Sequence, residues 1–158
     1  MIGYCPDWRK AAQGDECQER RYVEFIFNNY DNLTQLLNFR LYVLTFEDRM
    51  DQLSGVLDAI IIPGGRDIDP ELYGEENTHS EFDKEDSKLR WDHQSNMILN
   101  APKQMPILGI CQGMQFLHCL SGGKMIQHLA NHEEHIFKLN TFEVVPGTHL
   151  AKALAPNT

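Results

Sequence analysis

The sequence is short of positive charge, has no long apolar run and holds no closely spaced pair of cysteines. Only 14 Lys and Arg stand against 23 Asp and Glu, a formal charge of −9. Neutralising phosphates takes clustered basic side chains, so this balance argues against nucleic acid and against an anionic membrane surface as partners. No apolar stretch approaches the roughly 20 residues that cross a bilayer, and the first residues show no basic region followed by an apolar one. A cytoplasmic protein is expected. The four cysteines, Cys5, Cys17, Cys111 and Cys119, contain no C-x-x-C pair, which suits reduced thiols better than a disulfide framework. There is no internal repeat and no low-complexity linker, so residues 1–158, 42% of them hydrophobic, are expected to form one domain with a real core.

What is present alternates between strand-like and helix-like stretches. Ile2 to Cys5 and Leu41 to Phe46 read as strands, 6–19 as a polar loop, and Tyr22 to Phe39 as an amphipathic helix weakened by three asparagines. Glu47 to Leu53 reads as a short helix. Val56 to Ile62 is a near-continuous β-branched run, the pattern of a central parallel strand covered on both faces. A polar excursion follows over 71–87 and reads as surface loop, and the acidic excess, largely in Asp67 to Asp92, reads as a solvated loop rather than a metal site. A helix over Leu89 to Asn100 is closed by Pro102, a strand spans 107–110, and a helix begins at Met114 and ends at Ser121-Gly-Gly123. Ile136 to Val145 suggests one or two strands, with a turn at Pro146-Gly147. The alternation predicts an α/β fold, a mostly parallel sheet flanked by helices.

The most informative stretch is Pro106-Ile-Leu-Gly-Ile-Cys111-Gln-Gly-Met-Gln115. A buried strand stops at a cysteine flanked by Gly109 and Gly113, the G-x-nucleophile-x-G spacing of a nucleophile elbow. Glycine at both positions lets strand and helix pass closely, and the strained turn pushes the side chain of residue 111 out at a helix N-terminus. There the helix dipole and unpaired N–H groups favour a negatively charged sulfur. Without the glycines, Cys111 would read as one more buried small hydrophobe. The N–H of Gln112, the residue after the nucleophile, is a natural oxyanion donor.

A second glycine-rich turn, Pro63-Gly64-Gly65, ends the preceding strand. Ligands of open α/β sheets bind beyond the carboxyl ends of the strands. If the two strands are neighbours, the amide of Gly65 lies across from that of Gln112, and two main-chain donors face an oxyanion beside a thiol, as acyl transfer requires. Gly64 and Gln115 are the candidate substrate-binding residues. Gln115 sits one helical turn beyond Cys111 on the same face, although an exposed polar residue there needs no function.

Three motifs now stand in order: Pro63-Gly-Gly65-x-Asp67-Ile-Asp69-Pro70-x-Leu72-Tyr73-Gly74, the Cys111 elbow through Gln115, and Gly122-Gly123-x-x-x-Gln127. Together they resemble the class I glutamine amidotransferase-like superfamily, and within it the γ-glutamyl-γ-aminobutyrate hydrolase-like branch. The resemblance runs from about Val56 onward. It implies a flavodoxin-like fold and a Cys–His–Glu triad that cleaves a γ-glutamyl amide through a glutamyl thioester. Cys111 matches the nucleophile, Gly65 and Gln112 the oxyanion donors, and Gln115 a position that helps hold the glutamyl group. A small γ-glutamyl molecule is the implied substrate, no cofactor or metal is implied, and a homodimer is left open. Ser95 stands where relatives often carry Glu, and His118 where they tend to carry Asn. The family's catalytic histidine and its acidic partner are expected beyond Thr158, with the sheet incomplete at that end.

The histidines present do not replace that motif. His118 shares a helix face with Cys111 but lies about 10 Å along the axis, seven residues at 1.5 Å rise. His128, His132 and His135 lie on a loop that can fold back. Their spacing hints at metal, but no supporting Cys or acidic ligand pattern accompanies it, so they read as polar surface residues. His149 reads as capping or decorating a turn. No base is assigned. Two other readings remain beside the hydrolase: a non-catalytic binding module that keeps the fold, and a glutaminase subunit of an amidotransferase.

Overall fold

A computed structural model describes residues 1–4, 40–45, 47–130, 141 and 143–154. The expected loop over 6–19, the helix over 22–39 and most of the 136–145 stretch lie outside the described residues. The chain divides into two compact units, Met1–Gln127 and His128–Thr158.

In the first unit, four strands form one parallel sheet: β1 (Ile2–Tyr4), β2 (Leu41–Val43), β3 (Ala59–Ile62) and β4 (Ile107–Gly109), in the order β2-β1-β3-β4. This is the flavodoxin-like order, with the chain reversing direction across the sheet between β1 and β3. The register sets Ile2 opposite both Leu41 and Ala59, and Ile62 opposite Gly109. The sheet is flanked by helices: α1 (Met50–Leu53), α2 (Lys84–Leu99) between β3 and β4, and α3 (Gln112–Leu120) directly after β4. The fold is therefore α/β and flavodoxin-like, as expected.

The core collects Leu44, Met50, Leu57, Ile60, Ile62, Ile68, Met97 and Phe116. In β3, Ile60 and Ile62 are fully buried while Ala59 and Ile61 are half-buried, an alternation where a run covered on both faces was expected. Trp91 of α2 meets Phe116 of α3 edge to face, with ring centroids 5.2 Å apart, and so ties the two helices that flank the elbow strand.

Element boundaries depart from the sequence reading where local hydrogen bonds decide them. β3 starts three residues later than expected because the N–H groups of Val56 and Leu57 both donate to the Leu53 carbonyl, extending the turn after α1. α2 starts five residues earlier: the Asp83 carboxylate accepts from Asp86 N–H at 2.8 Å and caps the helix inside what reads as loop. Pro70–Tyr73 forms a 3-10 turn in the same stretch, capped by Asp69 and closed by left-handed Gly74. In the second unit, α4 (His149–Leu154) was not expected; Thr148 accepts from Ala151 N–H and caps it, so His149 opens the helix. Thr141 and 143–145 hold no strand. Among the described residues, no helix is long and apolar enough to cross a membrane.

Candidate active site

The elbow is built by close backbone contact. A Cβ on Gly113 would sit 2.2 Å from the Ile62 carbonyl oxygen, and one on Gly109 would sit 2.7 Å from the backbone of Gly113 and Met114. Neither distance is compatible with a side chain, so both glycines are required for α3 to start over the end of β3. Between them Cys111 takes φ 54° and ψ −111°, and it is the non-glycine residue with positive φ among the described residues. Such backbone costs on the order of 1–3 kcal/mol and persists only where its surroundings hold it. Here Ile110 N–H donates to the Ile62 carbonyl at 2.9 Å. Met114 and Gln115 N–H both donate to the Cys111 carbonyl, at 3.1 and 3.2 Å.

The strained turn leaves Cys111 exposed at the head of α3. Cys119, two turns further along the same helix, is buried against the core, and burial pushes its thiol up. One helix therefore carries two thiols in opposite environments.

The Pro63-Gly64-Gly65 turn lies directly alongside. β3 and β4 are hydrogen-bonded neighbours, and Gly113 N–H donates to the Pro63 carbonyl at 3.1 Å as well as to Ile110. Gly64 is buried and Gly65 half-buried. Neither Gly65 nor Gln112 donates its main-chain N–H to an acceptor among the described residues. The Gln112 side chain is itself buried.

Gln115 reaches a shallow hollow of about 50 Å³ that is also lined by Asp67, Tyr73, Ser80 and Gln127. Cys111, Gly64 and Gly65 do not line it. Burial raises the Tyr73 hydroxyl above its ordinary range, with a hydrogen bond to Ser80 working against that shift. Tyr73 thus stays a neutral hydroxyl at physiological pH. His118 faces elsewhere: its Nε2 lies 3.2 Å from the Lys124 carbonyl, and its ring covers Gly123. It belongs to the turn that ends α3, not to the thiol.

Three residues to which sequence reasoning gave no role hold the loop beyond Gly65. The buried Arg90 guanidinium donates from Nη2 to the carbonyls of Arg66 and Asp67, at 3.0 Å each. The Ser87 hydroxyl, also buried, accepts from Asp69 N–H at 2.8 Å. Gln127 binds the 76–80 segment from the far end of α3. Their signal in the sequence was weak: Arg90 is one of several charges on a helix, and Ser87 fell inside a presumed loop.

The peptidase C26 family model matches residues 4–158. The chain is 33% identical over 147 residues to the glutamine amidotransferase-like protein RP404 of Rickettsia prowazekii, covering 88% of this chain and 50% of that protein. It is 34% identical over 114 residues to protein NtpR of Enterococcus hirae, covering 65% of this chain and 46% of NtpR. To the γ-glutamyl-γ-aminobutyrate hydrolase PuuD of Escherichia coli strain K12 it is 34% identical over 88 residues, which are 54% of this chain and 33% of PuuD. The chain thus spans half or less of these curated relatives. With the family match covering nearly every residue and the elbow built as described, the chain belongs to the peptidase C26 family of class I glutamine amidotransferase-like proteins.

Proposed function

We propose that the protein hydrolyses a γ-glutamyl amide through a thioester on Cys111. The observation that carries this reading is the exposed, positive-φ cysteine held between two obligatory glycines beside the Pro63-Gly64-Gly65 turn. The Cys111 sulfur attacks the γ-carbonyl carbon, and the C=O electron pair moves onto oxygen. The N–H groups of Gly65 and Gln112 stabilise that oxyanion, and Gly64 and Gln115 hold the glutamyl portion. Collapse breaks the C–N bond, the amine leaves with a proton, and water then hydrolyses the thioester to glutamate and free thiol. The likeness to the glutamine amidotransferase-like protein RP404 and to the γ-glutamyl-γ-aminobutyrate hydrolase PuuD supports the amide class, and L-glutamine itself is chemically the simplest member of it. No described histidine is assigned as the base. The reading of 1–158 as one domain rests on the family match, which spans both units.

The experiment is release of p-nitroaniline from γ-glutamyl-p-nitroanilide, with mass spectrometry of the Cys111 peptide. The expected result is a glutamyl adduct on Cys111 and no release from Cys111→Ala. Release that survives that substitution, or an adduct on another residue, contradicts the proposal.

A further inference from the structure

Outside the elbow, several long-range hydrogen bonds among the described residues converge on one side chain, Gln127. The Gln127 amide oxygen accepts from Thr78 N–H at 2.8 Å, the Thr78 hydroxyl at 3.1 Å and His79 N–H at 3.3 Å. Its amide nitrogen donates to the Glu76 carbonyl at 2.8 Å. The orientation is forced, since oxygen meets two main-chain donors while nitrogen meets a carbonyl. Nearby, Lys124 pairs with Glu75. The segment so held, Glu75-Glu-Asn-Thr-His-Ser80, buries none of its side chains fully. With little apolar burial to offset the entropy of ordering it, the segment relies on hydrogen bonds, two between Asn77 and Ser80 within it and the others to Gln127.

The same segment ends at Ser80, whose hydroxyl donates to the Gln127 amide oxygen at 3.5 Å, and Ser80 and Tyr73 both line the hollow that Gln115 enters. We propose that Gln127 is a positioning residue: it fixes the 75–80 loop so that Tyr73 and Ser80 form a wall of the Gln115 hollow. It thereby sets how tightly the glutamyl end of a ligand is held. The inference rests on the γ-glutamyl reading of that site. Gln127 does not touch the reacting atoms.

The test uses the whole chain and L-glutamate as probe. Iodoacetamide labelling of Cys111 is followed while L-glutamate is titrated in, and hydrogen exchange is followed over 76–80. Gln127→Met keeps the volume and removes every hydrogen bond. It is expected to speed exchange at Thr78 and His79. It should also raise the half-protecting L-glutamate concentration about tenfold, the scale of one to two lost hydrogen bonds. The labelling rate without ligand should stay within about twofold of the parent, a change of under half a kcal/mol. Gln127→Glu keeps the acceptor for Thr78 and His79 but sets a carboxylate oxygen against the Glu76 carbonyl, so its shift should be smaller. It also decides the question if the Met variant does not fold. Equal half-protecting concentrations in parent and variant, or unchanged exchange over 76–80, overturn the inference. A parent chain that L-glutamate does not protect at all overturns the site reading itself, and the role of Gln127 with it.

Discussion

The chain leaves the sheet twice at the candidate site, and the two exits are held in different ways. After β4, the elbow is fixed by main-chain packing: Gly109 and Gly113 let α3 lie on the end of β3, and local hydrogen bonds complete it. After β3, the loop from Gly65 to Ser80 is fixed by side chains from elsewhere: Arg90 and Ser87 from α2, and Gln127 from beyond α3. The first exit carries the thiol and needs strain held rigidly. The second builds the surroundings of the thiol from side chains that lie far off in the sequence. The placement of the thiol and the shape of the loop beside it are thus assigned to separate devices.

This comparison can be broken at its strongest point first. Gly113→Ala puts a methyl group 2.2 Å from the Ile62 carbonyl oxygen, so α3 must move off the sheet. A loss of about 3 kcal/mol or more is expected in denaturant unfolding, in the range of severe overpacking. A change under about 1 kcal/mol, the size of an ordinary substitution, would show that the elbow is softer than its geometry implies.

A smaller effect is expected at the other exit. Arg90→Met leaves the Arg66 and Asp67 carbonyls without their buried donor, at a cost of about 2 kcal/mol, typical of a hydrogen bond to a charged group. It should loosen the 66–69 backbone in hydrogen exchange while Cys111 remains selectively alkylated. Loss of that selectivity would mean that the two exits are coupled.

The smallest effect is a pH dependence at His93 of α2, which meets the Thr45 backbone and the Asp48 charge. Burial lowers the His93 pKa, although a hydrogen bond to the Thr45 backbone and the Asp48 charge oppose that shift. The folded chain therefore resists protonation that the unfolded chain accepts. The neutral ring costs nothing above the ordinary histidine value near 6.5, and stability falls as pH drops below it. Asp48 acts in the same direction. Desolvation works to raise its carboxyl, but hydrogen bonds from Thr45 and Tyr42 hold it low, so its contribution too is lost on acidification. His93→Gln should flatten the decline between neutral pH and pH 5 in thermal unfolding. An unchanged slope would rule His93 out as its source.

The same contrast explains what the sequence revealed. The elbow was legible because its chemistry is local: two glycines four residues apart around a cysteine, after a β-branched or aliphatic run, encode a close approach whose partner is the adjacent strand. The adjacency of β3 and β4 stood in the sequence only as a condition, and the parallel pairing of the two strands meets it. Arg90 and Ser87 were not legible, and Gln127 was legible only as a motif residue without a role, because each bonds a segment between 18 and 51 residues away and no spacing announces that partner. The early start of α2 was hidden for a related reason. Lys84 to Lys88 are mostly exposed and polar, and only the Asp83 cap marks the helix there. Gln115 is intermediate: its helical phase from Cys111 could be read, but the hollow it enters is walled by the loop that Gln127 holds.

The most direct measurement is competitive alkylation of Cys111 and Cys119 by iodoacetamide at neutral pH, counted by mass spectrometry. Cys111 caps α3 and Cys119 lies within it, so the comparison reads what the fold does to each thiol. Near-stoichiometric labelling of Cys111 before Cys119 reacts is the expected result. Equal labelling of the two thiols would contradict an elbow that presents Cys111 as the nucleophile.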